Sequence, residues 1–236
     1  METFIAPAKL TVSLRITGVR DDGFHLIEAE MVSLDLHDTL EIGEGSKLEV
    51  VGPAGIEGVA PGADNLVIRA LGLVGRAAAV RLHKQIPAGA GLGGGSSDAA
   101  AVLRWAGFDD TEAAAQIGAD VAFCLRGGRA RVRGIGEIVE QLPFEPRTYT
   151  LLTPPFGCST PAVYAAWDEM GGPTGSNGND LEPAALRVAP DLVKWRDELA
   201  AAAGNRPRLA GSGSTWFVEG DFPGHGRVVT STVRGH

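Results

Sequence analysis

The chain has 236 residues, of which 44% are hydrophobic and 21% charged, and its formal net charge is −8. This composition is typical of a globular protein with one large or two small domains, and the acidic balance argues against nucleic acid as a partner. No stretch approaches the roughly 20 apolar residues of a membrane span, and the start METFIAPAKL lacks the pattern of a signal peptide. Because the chain has only two cysteines, Cys124 and Cys158, we expect a cytoplasmic protein with no membrane partner.

The first third of the chain reads mainly as strands. Residues 8–16 alternate apolar and polar side chains, which predicts a strand, and the Asp-Gly pair within residues 18–25 predicts a turn. Residues 26–42 and 47–52 read as further strands, the second joining the sheet as part of a meander. A helix then follows, with Asp64 or Asn65 as its N-cap.

The middle of the chain combines one strand with two helices. Residues 79–87 read as a strand and lead into IPAGAGLGGGSSDAAA, which has five glycines between positions 89 and 95. A helix is expected to start from this run, capped by Ser96 or Ser97 and ending at Gly107. Another helix is expected to start at Asp110 or Thr111.

The two prolines of PFEPR, around charged residues, indicate a domain boundary. We therefore predict one domain over residues 1–146 and a second over residues 147–236. The second domain opens with a strand, TYTLLTPP. A helix follows near TPAVYAAWDEM, with further helical segments within EPAALRVAPDLVKWRDELAAAAG. Two strands joined through a short glycine-rich passage end the chain. Strands and helices thus mix in both parts.

The glycine run calls for an explanation, because each glycine costs backbone entropy on folding. A strand, glycines and a helix start together form an anion-binding arrangement, since the first helical N–H groups lack intrahelical partners. The run matches the dinucleotide fingerprint G-x-G-x-x-G literally, but Arg81, His83 and Gln85 line one side of the preceding strand, which a buried Rossmann strand would not show. A P-loop is excluded because no lysine follows the glycines. A flexible linker remains an alternative.

Pro87, the glycines around Leu92, and Ser96-Ser97 resemble the nucleotide loop of the galactokinase, homoserine kinase, mevalonate kinase and phosphomevalonate kinase (GHMP) superfamily. That loop runs Pro-x-x-x-Gly-Leu-Gly/Ser-Ser-Ser-Ala. The resemblance implies an α+β, two-domain GHMP kinase fold, with a ribosomal-S5-like N-terminal ATP-binding domain and a ferredoxin-like C-terminal domain. It also implies ATP as a substrate.

Further blocks narrow the resemblance to one family. PAKLTVSLRITGVRDDGFHLIEAEMVSLDLHDTLEI is similar to the opening of the 4-diphosphocytidyl-2-C-methyl-D-erythritol kinase family. DNLVIRA, IPAGAGLGGGSSDAAA, IGADVAF, NDLEPAA and LAGSGST then match further family blocks in the family's order. The resemblance implies ATP-dependent phosphorylation of the substrate's 2-hydroxyl in the non-mevalonate isoprenoid pathway.

The resemblance carries catalytic and ATP-binding roles to particular residues. Lys9 and Asp120 match the family's catalytic pair, in which Asp120 either accepts the hydroxyl proton as general base or only orients the alcohol. Such a pair suits phosphoryl transfer because that chemistry depends on positioning and charge stabilisation. On the residues alone, Asp120 fits a turn and Lys9 a solvated strand position equally well. The ATP-binding residues implied are Asn65, Leu66, Val67, Pro87, Gly89, Ala90, Gly91, Leu92, Gly93, Gly94, Gly95, Ser96 and Ser97.

The resemblance also implies a substrate site. Phe24 and His25 match the pair that recognises cytosine, by stacking and by hydrogen bonding, although both also fit a plain turn. The substrate-binding residues implied are Thr11, Phe24, His25, Thr160, Tyr164, Gly211 and Ser212. Mg²⁺ is expected to accompany ATP, held by phosphates and water rather than by the protein.

Three residues depart from the family pattern: Thr11 replaces Asn, Ala122 replaces Pro, and Phe24 replaces Tyr. The C-terminal domain also reads as reduced, because only DFPGHG stands where the family has a full helix after GSGSTWFVEG. A shortened member of this kind is expected to have either an unusually polar sheet face or a homodimer that covers an apolar one. Two alternatives stay open: a homoserine or mevalonate type of kinase, and an inactive nucleotide-binding relative.

Overall fold

The fold consists of two β-sheets with helices packed against them, within the residues 1–52, 62 and 64–236 that the computed structural model describes. The strands are β1 (Glu2–Val19), β2 (His25–Gly43), β3 (Leu48–Val51), β4 (Ala79–His83), β5 (Arg129–Gly134), β6 (Ile138–Gln141), β7 (Thr148–Leu152), β8 (Arg208–Leu209), β9 (Trp216–Glu219) and β10 (Arg227–Ser231). The helices are α1 (Leu66–Leu73), α2 (Gly94–Trp105), α3 (Thr111–Ala115), α4 (Val121–Arg126), α5 (Thr160–Glu169), α6 (Glu182–Val188) and α7 (Leu192–Ala203).

The first sheet is built on a long antiparallel hairpin of β1 and β2. Its register runs from Glu2 opposite Ile42 to Val19 opposite His25, with bulges along β1. The predicted turn lies between the two strands, where Phe24 O accepts a hydrogen bond from Arg20 N at 2.8 Å. The rest of the sheet follows the order β3-β4-β2-β5-β6.

The meander predicted for residues 47–52 is wrong. β3 pairs in parallel with β4, with Leu48 opposite Val80, and β4 in turn pairs antiparallel with β2. A parallel neighbour requires a crossover connection rather than a tight turn, and α1 lies on that connection before β4. Alternation along the chain predicts that a strand exists, but it does not select the strand's partner.

Helix α2 is the buried centre of the first half and packs against α1, α4, β1 and β2. Its residues 97–103 are all buried, which explains the alanine run: small side chains allow close approach on every side. The predicted ends of the helices are partly confirmed. Asn65 caps α1 by accepting from Val67 N at 2.9 Å, and Asp110 caps α3 by accepting from Ala113 N at 3.0 Å.

The second sheet has the strand order β10-β7-β9-β8. One face of it joins a core with β1 through Tyr149, Leu151 and Phe217, and the other packs against α5, α6 and α7. The boundary predicted between residues 146 and 147 lies in the segment that links β6 to β7, and the division into two domains stays a prediction.

The second sheet does not present the broad uncovered face expected of a shortened domain. Residues 149–152 of β7 are buried on both faces, and Phe222, in the segment that lacks a helix, packs over the core while its N–H donates to Thr150 Oγ1 at 3.0 Å. Exposed apolar side chains of this sheet are confined to Val228 and Val229 on the edge strand β10, within the described residues. Within those residues, no helix has the length and apolar character needed to cross a membrane.

Candidate active site

A cleft of about 580 Å³ opens between the glycine loop, β1 and the start of α5. That volume lies in the range of small-molecule sites. The cleft brings together residues that are far apart in the chain. Those predicted from the sequence that line it are Lys9, Thr11, His25, Asn65, Leu66, Pro87, Gly89, Ala90, Gly91, Leu92, Gly93, Gly94, Gly95, Ser96, Asp120, Thr160, Tyr164, Gly211 and Ser212.

The glycine run ends in a helix start that faces the cleft. The cap predicted at Ser96 or Ser97 is wrong. Gly93 is the N-cap of α2 instead, in a left-handed conformation with φ 67°, and it makes no side-chain cap. The first-turn N–H groups of Gly94, Gly95 and Ser96 therefore have neither an intrahelical acceptor nor a capping side chain. Together with the helix dipole, these groups form a site for an anion.

Parts of the protein itself approach several of the glycines. A Cβ on Gly93 would lie 2.5 Å from Cγ of Lys9, and one on Gly91 would lie 2.6 Å from Ala210 O and 2.7 Å from Gly213 O. The Lys9 side chain therefore passes directly over the loop on its way into the cleft. The glycines serve the packing of the site as well as the approach of a ligand.

Lys9 and Asp120 form an ion pair, with 3.1 Å between Nζ and Oδ2. Lys9 is buried on β1, and its Nζ also donates to Thr11 Oγ1 at 3.1 Å. The side chain of Asp120 is 30% exposed at the start of α4, makes no cap to that helix, and keeps its carboxylate open to the cleft. A carboxylate beside a fixed cation can orient a hydroxyl or accept its proton.

The loop between β8 and β9 borders the Lys9 side chain, because a Cβ on Gly211 would lie 3.7 Å from Nζ. Asn179 holds this loop: its buried amide donates to Leu209 O at 2.9 Å and to Gly211 O at 2.7 Å. Ser212 Oγ lies 2.8 Å from Thr160 Oγ1, which links the loop to the start of α5. Asn179 belongs to the NDLEPAA block, and its role in holding this loop was not predicted from the sequence.

His25 lies in an aromatic part of the cleft. Its ring centroid is 4.7 Å from that of Tyr164 and 5.5 Å from that of Trp167, and Nε2 lies 2.8 Å from Asp168 Oδ1. Burial, together with the charge of Asp120, raises the pKa of the Tyr164 hydroxyl to about 12, so it stays protonated near neutral pH. Trp167 and Asp168 were not predicted as site residues, because their contacts with His25 cross more than 140 residues of chain.

Three of the predicted site residues do not line the cleft. Phe24 is 56% exposed on the hairpin turn, and Val67 is buried in the core formed by the first sheet with α1, α2 and α4. The Ser97 hydroxyl donates to Pro7 O at 2.7 Å. The roles predicted for these three side chains stay predictions. Asn65 and Leu66 do line the cleft, beside the glycine loop.

A buried ionic cluster beneath the glycine loop was not predicted from the sequence. Lys84 Nζ donates to Asp98 Oδ2 at 2.8 Å and also to Asp38 Oδ2, and all three side chains are at most 2% exposed. Lys84 and Asp98 also border the cleft. Among the described residues, no group of three or more His, Cys, Asp or Glu side chains is placed to hold a metal ion.

Comparison with known proteins shows which family the chain resembles. A model of the GHMP kinases N terminal domain matches residues 65–128. A 4-diphosphocytidyl-2-C-methyl-D-erythritol kinase of Paracoccus denitrificans is 39% identical, over 90% of this chain and 84% of that protein. One from Pelotomaculum thermopropionicum is 38% identical, over 91% of this chain and 88% of that protein.

Solved structures extend the comparison. A crystal structure of 4-(cytidine 5'-diphospho)-2C-methyl-D-erythritol kinase is 31% identical, with a TM-score of 0.74 over 98% of this chain and 99% of the other. A putative homoserine kinase from Listeria monocytogenes, at 15% identity and a TM-score of 0.59, shares the fold alone. The predicted α+β GHMP kinase fold is confirmed, and the chain belongs to the 4-diphosphocytidyl-2-C-methyl-D-erythritol kinase family.

Proposed function

We propose that this protein transfers the γ-phosphate of ATP to the 2-hydroxyl of 4-diphosphocytidyl-2-C-methyl-D-erythritol, giving the 2-phosphate and ADP, in the non-mevalonate isoprenoid pathway. The observation that carries the proposal is the Lys9–Asp120 pair, at 3.1 Å, in a cleft between an anion-binding helix start and an aromatic pocket. The named activity of relatives at 38–39% identity supports the same substrate.

In this proposal, the phosphates of ATP lie on the glycine loop. The free first-turn N–H groups of α2 bind phosphate oxygens, and Asn65 and Leu66 lie near the adenine end of the nucleotide. Mg²⁺ would neutralise charge on the phosphates, held by phosphate oxygens and water.

Asp120 and Lys9 then act on the acceptor hydroxyl. The hydroxyl oxygen attacks the γ-phosphorus, its proton passes to the Asp120 carboxylate, and the bond from the γ-phosphorus to the bridging oxygen of ADP breaks. Lys9 holds the Asp120 carboxylate in place through their ion pair and offsets the negative charge of the oxygens that move. Thr11 fixes the lysine by accepting one of its hydrogen bonds.

The aromatic pocket would hold cytosine. Tyr164 supplies an aromatic surface, and His25, oriented by Asp168, supplies a hydrogen-bonding ring at the base edge. Phe24, exposed on the hairpin turn next to His25, stays a predicted stacking group for the base. Thr160 and Ser212, bonded to each other beside Gly211, would contact the diphosphate or the polyol.

The cellular setting follows from the same reasoning. We propose a cytoplasmic enzyme, which the two unpaired cysteines, Cys124 and Cys158, support because they suit a reducing compartment. We also propose that the protein binds neither nucleic acid nor a membrane. A homodimer also stays a proposal. The uncovered apolar sheet face from which it was expected is not present at β7, whose residues 149–152 are buried within the monomer.

The test is ATP-dependent ADP release with 4-diphosphocytidyl-2-C-methyl-D-erythritol, homoserine and mevalonate as separate acceptors. We expect turnover on the cytidine substrate alone, and a loss of at least about 10²-fold in kcat for Asp120→Asn, which keeps the shape and removes the base. Turnover on homoserine or mevalonate would favour the sister-kinase alternative. ATP binding without turnover on any acceptor would favour the inactive relative.

A further inference from the structure

The Asp38–Lys84–Asp98 cluster lies immediately below the anion-binding start of α2. Lys84 directly follows β4, Asp38 lies in β2, and Asp98 lies in the second turn of α2. A Cβ on Gly94 would lie 3.1 Å from Lys84 Nζ, so the ammonium group rests against the first residue of the helix. The cluster therefore ties the phosphate-binding turn to the sheet.

The two carboxylates of the cluster are not equally satisfied. Asp38 Oδ1 accepts from Gln85 N at 2.5 Å and from Ile86 N at 2.8 Å, while its Oδ2 accepts from Lys84. Asp98 accepts one hydrogen bond, from Lys84, and its Oδ1 is buried without a partner. A buried ionised oxygen without a partner is costly, so a proton in this cluster would go to Asp98 rather than to Asp38.

The charge balance of the cluster matters for the ligand above it. With both carboxylates ionised, one ammonium leaves a net charge of about −1 under a loop that is proposed to bind a polyphosphate. Burial, opposed by Lys84 and reinforced by Asp38, raises the pKa of the Asp98 carboxyl to about 7. Burial lowers the pKa of Lys84, but the charges of Asp98 and Asp38 more than offset it, so the ammonium stays charged.

Other charged or titratable groups around α2 are already engaged. Lys9 of β1 is paired with Asp120 at the start of α4, and burial raises the pKa of the Cys124 thiol so that it stays neutral. Arg69 of α1 donates to Gln116 O, and Arg104 of α2 itself donates to Cys124 O and Ile5 O. Lys84 and Asp38 are thus the charged groups in direct contact with Asp98 among the described residues.

We propose that Asp98 is a positioning residue for ATP: with Lys84 it holds the first turn of α2, and ATP binds to the form of the protein in which Asp98 carries a proton. The proton comes from solvent and goes to the unpartnered Oδ1, so the cluster becomes neutral when the phosphates arrive. This inference rests on the proposed binding of ATP at the glycine loop, but not on which alcohol is phosphorylated.

The inference predicts a specific proton uptake. In the protein without ATP, the pKa of Asp98 is raised to about 7. ATP binding at pH 8.0 should therefore take up nearly one proton more in the wild type than in Asp98→Asn. The apparent Kd for ATP should rise with pH above 7 by up to about tenfold per unit in the wild type. In Asp98→Asn the Kd should stay almost constant, because the neutral amide imitates the protonated carboxyl.

Titration calorimetry of ATP binding at pH 8.0, in buffers of different ionisation enthalpy, measures the proton count directly. Asp197→Asn, an exposed aspartate of α7, is the matched control and should behave as the wild type. Equal proton counts in wild type and Asp98→Asn would overturn the inference. A wild-type Kd that is constant between pH 7 and 9 would overturn it without any variant. ATP binding with no proton uptake leaves the proposed function intact, whereas no ATP binding at either pH 6 or pH 8 contradicts both.

Discussion

Alanine substitutions in the glycine loop separate backbone strain from steric conflict. Gly89 and Gly91 both have positive φ, 68° and 78°, whereas the φ of Gly95 lies in the ordinary range. A Cβ on Gly89 would meet Gly157 Cα at an ordinary 3.4 Å, but one on Gly91 would lie 2.6 and 2.7 Å from two carbonyl oxygens. On Gly95 the nearest atom would be Leu66 Cδ1 at 3.7 Å.

These contacts set an order of stabilities. Gly89→Ala should lose about 1–2 kcal/mol from the left-handed backbone alone. Gly91→Ala should lose that amount and about 1–3 kcal/mol more, because the carbonyl oxygens of Ala210 and Gly213 belong to backbone and must shift. Gly95→Ala should gain about 0.5–1 kcal/mol, since alanine loses less entropy than glycine in a helix.

Urea unfolding of the three variants and the wild type, followed by circular dichroism, gives the comparison. The predicted order of the free energy of unfolding is Gly95→Ala, wild type, Gly89→Ala and Gly91→Ala, from most to least stable. Equal losses for Gly89→Ala and Gly91→Ala would refute the claim that the loop is packed against the β8–β9 connection. A large loss for Gly95→Ala would refute the helix start at Gly94.

Three further predictions concern the charged residues. Lys9→Met should lower kcat by about 10²–10³-fold with a smaller change in the KM for ATP, because it removes a charge that acts on the transferring group; steady-state kinetics with both substrates varied tests this, and an unchanged kcat contradicts it. Asp168→Asn should raise the KM for the cytidine substrate by about three- to tenfold and leave that for ATP unchanged, since an exposed partner of His25 contributes modestly; equal rises in both KM values would contradict it. The pKa of Asp98 in the folded protein lies above its usual 3.8. The free energy of unfolding of the wild type, relative to that of Asp98→Asn, should therefore fall by up to about 4 kcal/mol as pH rises from about 4 to about 7. Urea unfolding measures this difference, and a constant difference across that pH range contradicts the prediction.

Local signals in the sequence predicted local structure well. The caps at Asn65 and Asp110 were predicted because a capping side chain bonds a backbone N–H two or three residues away. The same rule failed at α2, where a glycine in the left-handed conformation begins the helix and leaves its N–H groups open. A site that must bind an anion gains from the absence of the capping side chain that sequence reasoning expected.

Long-range contacts account for what the sequence did not reveal. No local sequence pattern connects the residues of three important contacts. These are the pairing of β3 with β4, the hydrogen bond between Asp168 and His25, and the ion pair between Asp38 and Lys84. Lys9 and Asp120 were predicted as partners only through the family resemblance, because 111 positions separate them and neither carries a local signal. Tertiary packing, rather than propensity, sets these contacts.

Phosphorus NMR of the reaction product tests the central claim most directly. The 2-carbon of 2-C-methyl-D-erythritol carries a methyl group and no hydrogen, so a phosphate on the 2-hydroxyl has no three-bond coupling to a proton. After incubation of the protein with ATP, Mg²⁺ and 4-diphosphocytidyl-2-C-methyl-D-erythritol, we expect a new phosphomonoester singlet that matches the ADP formed and is absent with Asp120→Asn. A doublet or triplet, from phosphate on a secondary or primary hydroxyl, would contradict the proposed regiochemistry, and no new phosphomonoester would contradict the proposed activity.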